Sequence, residues 1–229
     1  MPENYSYPLT INAALPNDPN ISATIIDAIS SLNLSQMETE NLSDFLFSTD
    51  FFDAPASTRY HLCCPHGLAC HTLNVMHAIF PIAFQFGVNT ERAVLAALLH
   101  DLCKCDFYEE FTTNFKDRDR SRFGKNRVYT DAQGDFVWSQ KRAYKVNEAF
   151  HYGHGEKSAL IATTFLNLDL TPFECQAIRY HMGDFVNNPE TSQVYANNKL
   201  ALALHMADLY ASASLDLSAE ECEKYNILL

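Results

Sequence analysis

The fold is decided by the stretch Val94-Leu95-Ala96-Ala97-Leu98-Leu99-His100-Asp101-Leu102-Cys103-Lys104. Its apolar residues recur at helical spacing, and Asp101 continues the stripe that Val94, Ala97 and Leu98 begin. A carboxylate on the core side of a helix is costly unless it is paired or bound to a metal. His100 offers an imidazole on the neighbouring face. The pair therefore indicates either a cation site or an ordinary buried polar contact. Further His and Asp residues on other helices would favour the cation site.

Length and composition are typical of a globular protein. The chain has 229 residues, of which 47% are hydrophobic and 19% charged, which suits one domain with a sizeable core. A net charge of −12 argues against charge-driven binding to long duplex nucleic acid or to an anionic membrane. The sequence shows no apolar run of membrane-span length and no signal peptide. Seven cysteines without a paired C-x-x-C pattern indicate reduced thiols, so we expect a cytoplasmic protein.

Helical periodicity dominates the chain outside one central segment. Residues 106–150 differ, and Asp131-Ala132-Gln133-Gly134-Asp135 predicts the turn of a β-hairpin. We therefore expect an all-α bundle with a small β-hairpin insertion. The expected organisation is a leader and helix over 1–35, a main domain over 36–215 with a basic insertion at about 106–150, and a tail over 216–229. Helices are predicted at 21–32, 37–47, 67–86, 90–101, 155–168, 171–181 and 199–213.

Three further polar residues lie on apolar helix stripes. His71, His181 and Asp208 each fall on the side of a predicted helix that should face the core. Any one of them alone fits a satisfied buried polar group. Several core-facing His and Asp residues on separate helices can be satisfied together by a divalent metal. Imidazole nitrogen and carboxylate oxygen, with no obligatory thiolate, suit Mn, Fe, Co or Mg better than a structural zinc.

These motifs resemble those of the HD-domain metal-dependent phosphohydrolases. The order of His71, the His100-Asp101 pair and a distant Asp208 carries the resemblance. The resemblance covers about residues 40–215 and implies an HD-domain helical bundle. Within the family, the chain looks most like a small branch of bacterial and phage-associated HD hydrolases. The other matching motifs are Tyr60-His61, Gly67-Leu68, the run from His71 to Val75, the H-D-x-x-K of His100 to Lys104, Gly153 to Ser158, and Ile178 to Gly183.

The resemblance implies a role for each matching residue. One or two divalent metal ions are expected, with Asp101 bridging the two positions and also acting in catalysis. Lys104 stands where some relatives carry glutamate, and it would hold a substrate phosphate or assist a proton transfer. His61 is a candidate for the pocket rim. The implied ligands are His71, His100, Asp101 and Asp208 for the first metal, and His154 and His181 for the second.

The central segment is basic. Between Lys116 and Lys145 there are nine Lys or Arg against four Asp, so this segment carries +5 and the rest of the chain −17 (−12 minus +5). Two interpretations remain open: a solvated surface insertion, or a basic lid beside the metals. In the second, Arg127, Lys141 and Arg142 bind substrate, and nearby aromatic residues stack on a base. That interpretation favours a small nucleotide or the end of a short oligonucleotide.

Two classes of function remain open at this point. The leading one is an enzyme, a metal-dependent phosphohydrolase acting on a nucleotide-like phosphoester as a phosphomonoesterase or phosphodiesterase. The alternatives are a non-catalytic module that binds metal or nucleotide, and a nuclease resembling 3′–5′ exoribonucleases. The complete set of ligand residues favours an enzyme, because a site without turnover would be expected to lose ligands.

Overall fold

The computed structural model describes residues 13–148, 150–183 and 190–228. Within these ranges it contains nine α-helices and an antiparallel sheet of four strands. Residues 1–12 of the predicted leader lie outside the described residues. The helices are α1 (Ile21–Ser31), α2 (Gln36–Ser48), α3 (Gly67–Phe86), α4 (Thr90–Leu99), α5 (His154–Leu160), α6 (Pro172–Arg179), α7 (Thr191–Asn197), α8 (Lys199–Tyr210) and α9 (Ala219–Asn226).

Helix α3 is the centre of the bundle. It packs against α4 and α8, and α8 also packs against α6. Side chains on most of its circumference are buried, which explains why its sequence is apolar nearly all round. By length and composition α3 could span a membrane, although no run of that kind was expected from the sequence. However, 72% of its most apolar stretch is buried inside the protein. Its apolar character is therefore that of a core helix.

The helix ends agree closely with the capping signals in the sequence. Asn89 caps α4, with its side chain accepting a hydrogen bond from the Arg92 amide. Thr171 caps α6 in a reciprocal capping box with Glu174, and Pro172 occupies the first turn. Because α4 ends at Leu99, the chain leaves the helix at the His100-Asp101 pair and enters a single 3-10 turn, Leu102–Lys104. The pair thus lies at a helix end deep in the core.

The prediction of an all-α fold is wrong, because the insertion forms a substantial sheet. The strands are β1 (Tyr108–Asp117), β2 (Tyr129–Asp131), β3 (Gly134–Val146) and β4 (Ile227–Leu228). The predicted hairpin is present between β2 and β3. In addition, β3 pairs antiparallel with β1 over ten residues and, through Gln140 and Lys141, with β4.

The physical reason for the error lies in β1. Most of its side chains are exposed, so the strand has no apolar alternation that a local pattern could reveal. Its pairing with β3 joins residues as far apart as Tyr108 and Val146. A strand whose stability comes from such non-local hydrogen bonds and cross-strand contacts is not recognisable from a short sequence window.

Candidate metal centre

Six residues predicted as metal ligands converge between the helices. All of them come from helix ends or from helix faces that point into the bundle. They are His71 on α3, His100 and Asp101 after α4, His154 at the start of α5, His181 after α6, and Asp208 on α8. His71, His100, Asp101 and His181 are almost completely buried, with 1%, 0%, 3% and 0% of their surface exposed.

A glycine allows two of these elements to approach closely. Gly155, the second residue of α5, lies so near α6 that a β-carbon there would be 2.3 Å from the carbonyl oxygen of Ile178. Any other residue would push the helices apart. The His154 and His181 rings consequently lie with their centroids 5.7 Å apart.

Three of the histidines are oriented in the same way. Nδ1 of His100 donates to the carbonyl oxygen of Ala97, and Nδ1 of His181 donates to that of Ile178, both at 2.7 Å. Nδ1 of His71 donates to Oδ2 of Asp216, also at 2.7 Å. Metal-binding histidines typically hold their second ring nitrogen in this manner, which fixes the tautomer and leaves Nε2 as the ligand atom. The Nε2 atoms of these rings face the centre of the cluster.

Asp101 stands between two groups of histidines. Its Oδ2 lies 3.3 Å from Nε2 of His100 and 3.6 Å from Nε2 of His71. Its Oδ1 lies 2.8 Å from Nε2 of His154 and 3.7 Å from Nε2 of His181. A carboxylate whose two oxygens face separate sets of nitrogen ligands has the arrangement needed to bridge two cations.

The remaining carboxylate completes the first group. Oδ1 of Asp208 lies 3.2 Å from Nε2 of His71. One possible ligand atom from each of His71, His100 and Asp208 lies within 4.8 Å of the others, and the same is true of His100, Asp101 and His181. Nε2 of His181 is buried and has no hydrogen-bond partner among the residues that the structure describes. A buried imidazole nitrogen without a partner, close to a carboxylate, is suited to bind a cation, so the donor set fits the divalent metals expected from sequence.

Burial and neighbouring charges shift the pKa values of the residues in the cluster. Burial lowers the pKa of His71, but the carboxylates of Asp216 and Asp208 outweigh burial and raise the pKa to about 10. Burial would raise the pKa of Asp101, yet Lys104 and His100 hold it well below its usual value. His181 lies at the opposite extreme, since burial and the neighbouring His100 lower its pKa to about 3. Without metal, protonated side chains therefore supply part of the positive charge at this site.

Lys104 lies in direct contact with the cluster. Its Nζ lies 2.6 Å from Oδ2 of Asp101, and the residue is only 8% exposed. It comes from the 3-10 turn after α4, three residues beyond the carboxylate that it contacts. The structure thus brings the ammonium group of Lys104 against the carboxylate predicted to bridge the metals.

His61 lies at the edge of the cluster. Its ring centroid is 5.0 Å from that of His71, and its Nε2 is 3.9 Å from Oδ2 of Asp216. Burial lowers its pKa to about 4, with the positive charge of His71 contributing. Its Nε2 is buried and has no hydrogen-bond partner among the described residues. His61 therefore contacts the cluster, and its role at the rim of a substrate pocket stays a prediction.

Of the basic residues predicted to bind substrate, Lys141 and Arg142 lie on β3, and Arg127 lies two residues before β2. Nζ of Lys141 forms an ion pair with Oε1 of Glu223 at 2.5 Å, and Nε of Arg142 pairs with Oε1 of Glu110 at 3.2 Å. The Arg127 guanidinium lies 5.2 Å from the Tyr129 ring centroid. Within the described residues, no contact recorded for Lys141, Arg142 or Arg127 reaches the six ligand residues.

Sequence reasoning missed two members of the site. Asp216 follows the last long helix in an irregular turn, where no periodicity marks it, and it was assigned to the tail. Its two oxygens accept hydrogen bonds from His71 and from Nδ2 of Asn74. For Cys103 the sequence leaves open a place near the metals but favours a buried reduced thiol; in the structure its Sγ lies 3.3 Å from Nδ1 of His154. His71 and Asn74, three residues apart on α3, share Asp216 as a partner.

Comparison with known proteins gives one result. No curated protein and no solved structure matches the chain. The family model of the HD domain matches residues 68–213, which is more than half of the 229 residues. The matched region contains all six predicted ligands, while His61 and Asp216 lie just outside it. The chain therefore belongs to the HD-domain family of metal-dependent phosphohydrolases.

Proposed function

We propose that this protein hydrolyses a phosphoester of a nucleotide or of a short oligonucleotide, using two divalent cations. The observation that carries the proposal is the position of Asp101, whose two oxygens face His71 and His100 on one side and His154 and His181 on the other. His71, His100, Asp101 and Asp208 would hold the first cation. Asp101, His154 and His181 would hold the second.

The chemistry expected of such a centre is hydrolysis. Two bound divalent cations lower the pKa of water and neutralise charge that develops on a phosphoryl group. The protein's histidines contribute affinity without negative charge, so they keep the centre attractive to an anionic substrate. Lys104 supplies a fixed positive charge beside Asp101. His61, whose Nε2 has no hydrogen-bond partner among the described residues, would supply a neutral ring that hydrogen-bonds the substrate.

The proposed substrate class rests on charge and on aromatic surface. The sheet concentrates the chain's basic residues, and on it Trp138 and Tyr129 are 52% and 38% exposed. Exposed aromatic rings beside guanidinium groups favour stacking on a nucleobase. The net charge of −12 makes a long duplex an unsuitable substrate. A mononucleotide or the end of a short strand can reach the centre without covering the acidic body.

A turnover screen tests the proposal. Protein purified without chelator is analysed for metal, then incubated with Mn²⁺ and with mononucleotides, cyclic dinucleotides and short RNA, and products are separated by chromatography. We expect phosphate or nucleotide release from at least one class. Metal below about half an equivalent after Mn²⁺ soaking would contradict the centre, and full loading without turnover would favour a binding module. An Asp101→Asn variant controls for contaminating phosphatases.

A further inference from the structure

The second cation position has a sulfur neighbour. Sγ of Cys103 lies 3.3 Å from Nδ1 and 3.5 Å from Nε2 of His154. Sγ of Cys103, a ring nitrogen of His154 and a carboxylate oxygen of Asp101 all lie within 4.8 Å of one another. This sulfur therefore lies close to two of the residues predicted to hold the second cation, His154 and Asp101.

The position of this thiol is fixed by the fold. The Cys103 amide donates a hydrogen bond to Oγ of Ser158 at 3.0 Å, and Ser158 is fully buried on α5. His154 lies on the same helix as Ser158. The hydrogen bond from Cys103 to Ser158 therefore fixes the position of the 3-10 turn relative to His154. Cys103 itself is only 2% exposed. Asp101 and Cys103 belong to the same short turn, so the carboxylate and the sulfur are positioned together.

The His181 ring at the second cation position has a nitrogen without a hydrogen-bond partner among the described residues. Nε2 of His181 is completely buried, forms no hydrogen bond within the described residues, and lies 3.7 Å from Oδ1 of Asp101. Leaving a buried polar atom unsatisfied is costly. A cation beside Oδ1 of Asp101 would satisfy His181 and would have the sulfur of Cys103 within its reach.

We propose that Cys103 is a ligand of the second cation, which makes this position a site of mixed nitrogen, oxygen and sulfur donors. The inference rests on the proposed function, because it assumes that Asp101, His154 and His181 hold a cation. Binding displaces the thiol proton to solvent, as with any cysteine ligand. Thiolate ligands select softer ions, so the second position prefers Zn²⁺, Co²⁺ or Fe²⁺ to Mg²⁺ or Mn²⁺.

This assignment revises the expectation from sequence. Without a thiolate, the donors favour Mn, Fe, Co or Mg at both positions. With Cys103, the two positions differ: His71, His100 and Asp208 offer nitrogen and oxygen only, whereas the second position adds sulfur. The competing interpretation is that the sulfur merely contacts the His154 ring and orients it. The two interpretations differ in whether a metal–sulfur bond forms.

X-ray absorption spectroscopy of the zinc-loaded wild-type protein distinguishes them directly. We expect a zinc–sulfur distance of about 2.3 Å, with one sulfur for every two zinc ions bound. This measurement needs no variant and no substrate. Nitrogen and oxygen scatterers alone, at full zinc loading, would overturn the role of Cys103 and leave the proposed function intact. Failure of the wild type to bind any zinc, cobalt or manganese would overturn both.

Two cysteine variants identify the sulfur. In Cys103→Ser we expect the sulfur scatterer to disappear and zinc affinity at one position to fall at least tenfold, while the other position keeps its metal. The matched control is Cys105→Ser, because Cys105 is two residues away and hydrogen-bonds Thr49. In that control the sulfur scatterer should persist. A sulfur signal that survives in Cys103→Ser would assign the thiolate to another residue and overturn the inference.

Discussion

Oδ2 of Asp216 lies 2.7 Å from Nδ1 of His71, and this hydrogen bond joins the segment after the last long helix to the central helix of the bundle. Nδ2 of Asn74 donates to the other carboxylate oxygen at 2.8 Å. Asp216 is thus held by two side chains of α3, and in turn it fixes the tautomer of a predicted metal ligand.

Replacing Asp216 should weaken the first metal position. In Asp216→Asn the amide retains the size of the side chain but no longer supplies a carboxylate to the His71 ring. Removal of such a partner typically costs 10–100-fold in metal affinity or activity. We expect a loss of this size in a metal-binding isotherm, with the second position retained. An isotherm identical to that of the wild type would show that the contact between Asp216 and His71 does not affect metal affinity.

Part of the ligand cluster could be expected from sequence because several members lie on local helical stripes, whereas His154 was implied only by the resemblance to the HD-domain family. His71, His181 and Asp208 interrupt apolar faces, which is a signal that a short window contains. Asp216 and Cys103 could not be assigned in this way. The role of Asp216 depends on the packing of an irregular turn against α3, and that of Cys103 depends on where α5 places His154.

The sheet could be predicted only in part, for a related reason. The β2–β3 hairpin has a glycine turn between β-forming residues, and it was recognised. The partner strands β1 and β4 were not, because most side chains of β1 are exposed and β4 is two residues long. The sheet's charges also pair with residues outside the basic segment, such as Glu223 with Lys141.

Asp101→Ala should abolish turnover. The substitution removes an anionic group that faces both histidine sets, so both metal positions lose a ligand. Because changes outside the ligand shell cost about 10–100-fold, loss of a bridging ligand should cost more than about 100-fold. Metal content and initial rate are measured together. Exposed Asp44→Ala is the matched control, and an Asp101 variant retaining a tenth of the wild-type rate would make Asp101 structural.

Lys104→Met should destabilise the metal-free protein. The variant leaves the buried Asp101 carboxylate without its ammonium partner, which typically costs about 3 kcal/mol. Adding a divalent cation should restore much of this stability, because the cation replaces the lost charge. Urea unfolding with and without Co²⁺ measures both effects.

The control for Lys104 is the surface pair of Lys116 and Asp131. Lys116→Met should cost no more than about 1 kcal/mol, with no response to metal. Equal losses in the two lysine variants would mean that the Asp101 charge is neutralised by its histidines alone.

Glu174→Gln should reduce stability in a pH-dependent manner. Burial raises the pKa of Glu174, but hydrogen bonds from Arg92 and Thr171 outweigh it, and the net shift is downward. A depressed pKa contributes stability above the unfolded value near 4.5, and this stability is lost as the pH falls through the folded pKa. We expect a loss of about 1.5–3 kcal/mol at pH 7, the range for hydrogen bonds to charged groups.

The pH series separates this effect from simple misfolding. The difference between wild type and Glu174→Gln should shrink as the pH falls below the unfolded value near 4.5 and through the lower folded pKa, because the wild-type carboxyl then becomes protonated. Urea unfolding at several pH values measures it, with exposed Glu40→Gln as the control. A loss that stays constant down to pH 3 would show that the charge of Glu174 is irrelevant and that only its shape matters.

The last prediction concerns the basic sheet. Arg142 and Lys141 lie four and five residues before Val146, the end of β3 that pairs with Tyr108 near the cluster. At a rise of about 3.3 Å per residue, they stand roughly 13–17 Å along the strand from that end. Charges at this distance cannot contact a phosphate held at the metals, but they can contact the rest of a longer substrate.

Neutralising Arg127, Lys141 and Arg142 to Gln should therefore affect substrates according to their length. We expect KM for a short oligonucleotide to rise several-fold while KM for a mononucleotide and the metal content stay unchanged. Loss of uniform binding energy raises KM and leaves kcat unaltered. Higher salt should reproduce the effect, because exposed charges are screened beyond about 8–10 Å. The mononucleotide serves as the internal control: an equal rise for both substrates would place these cations at the metals, and no rise for either would assign the sheet to another role.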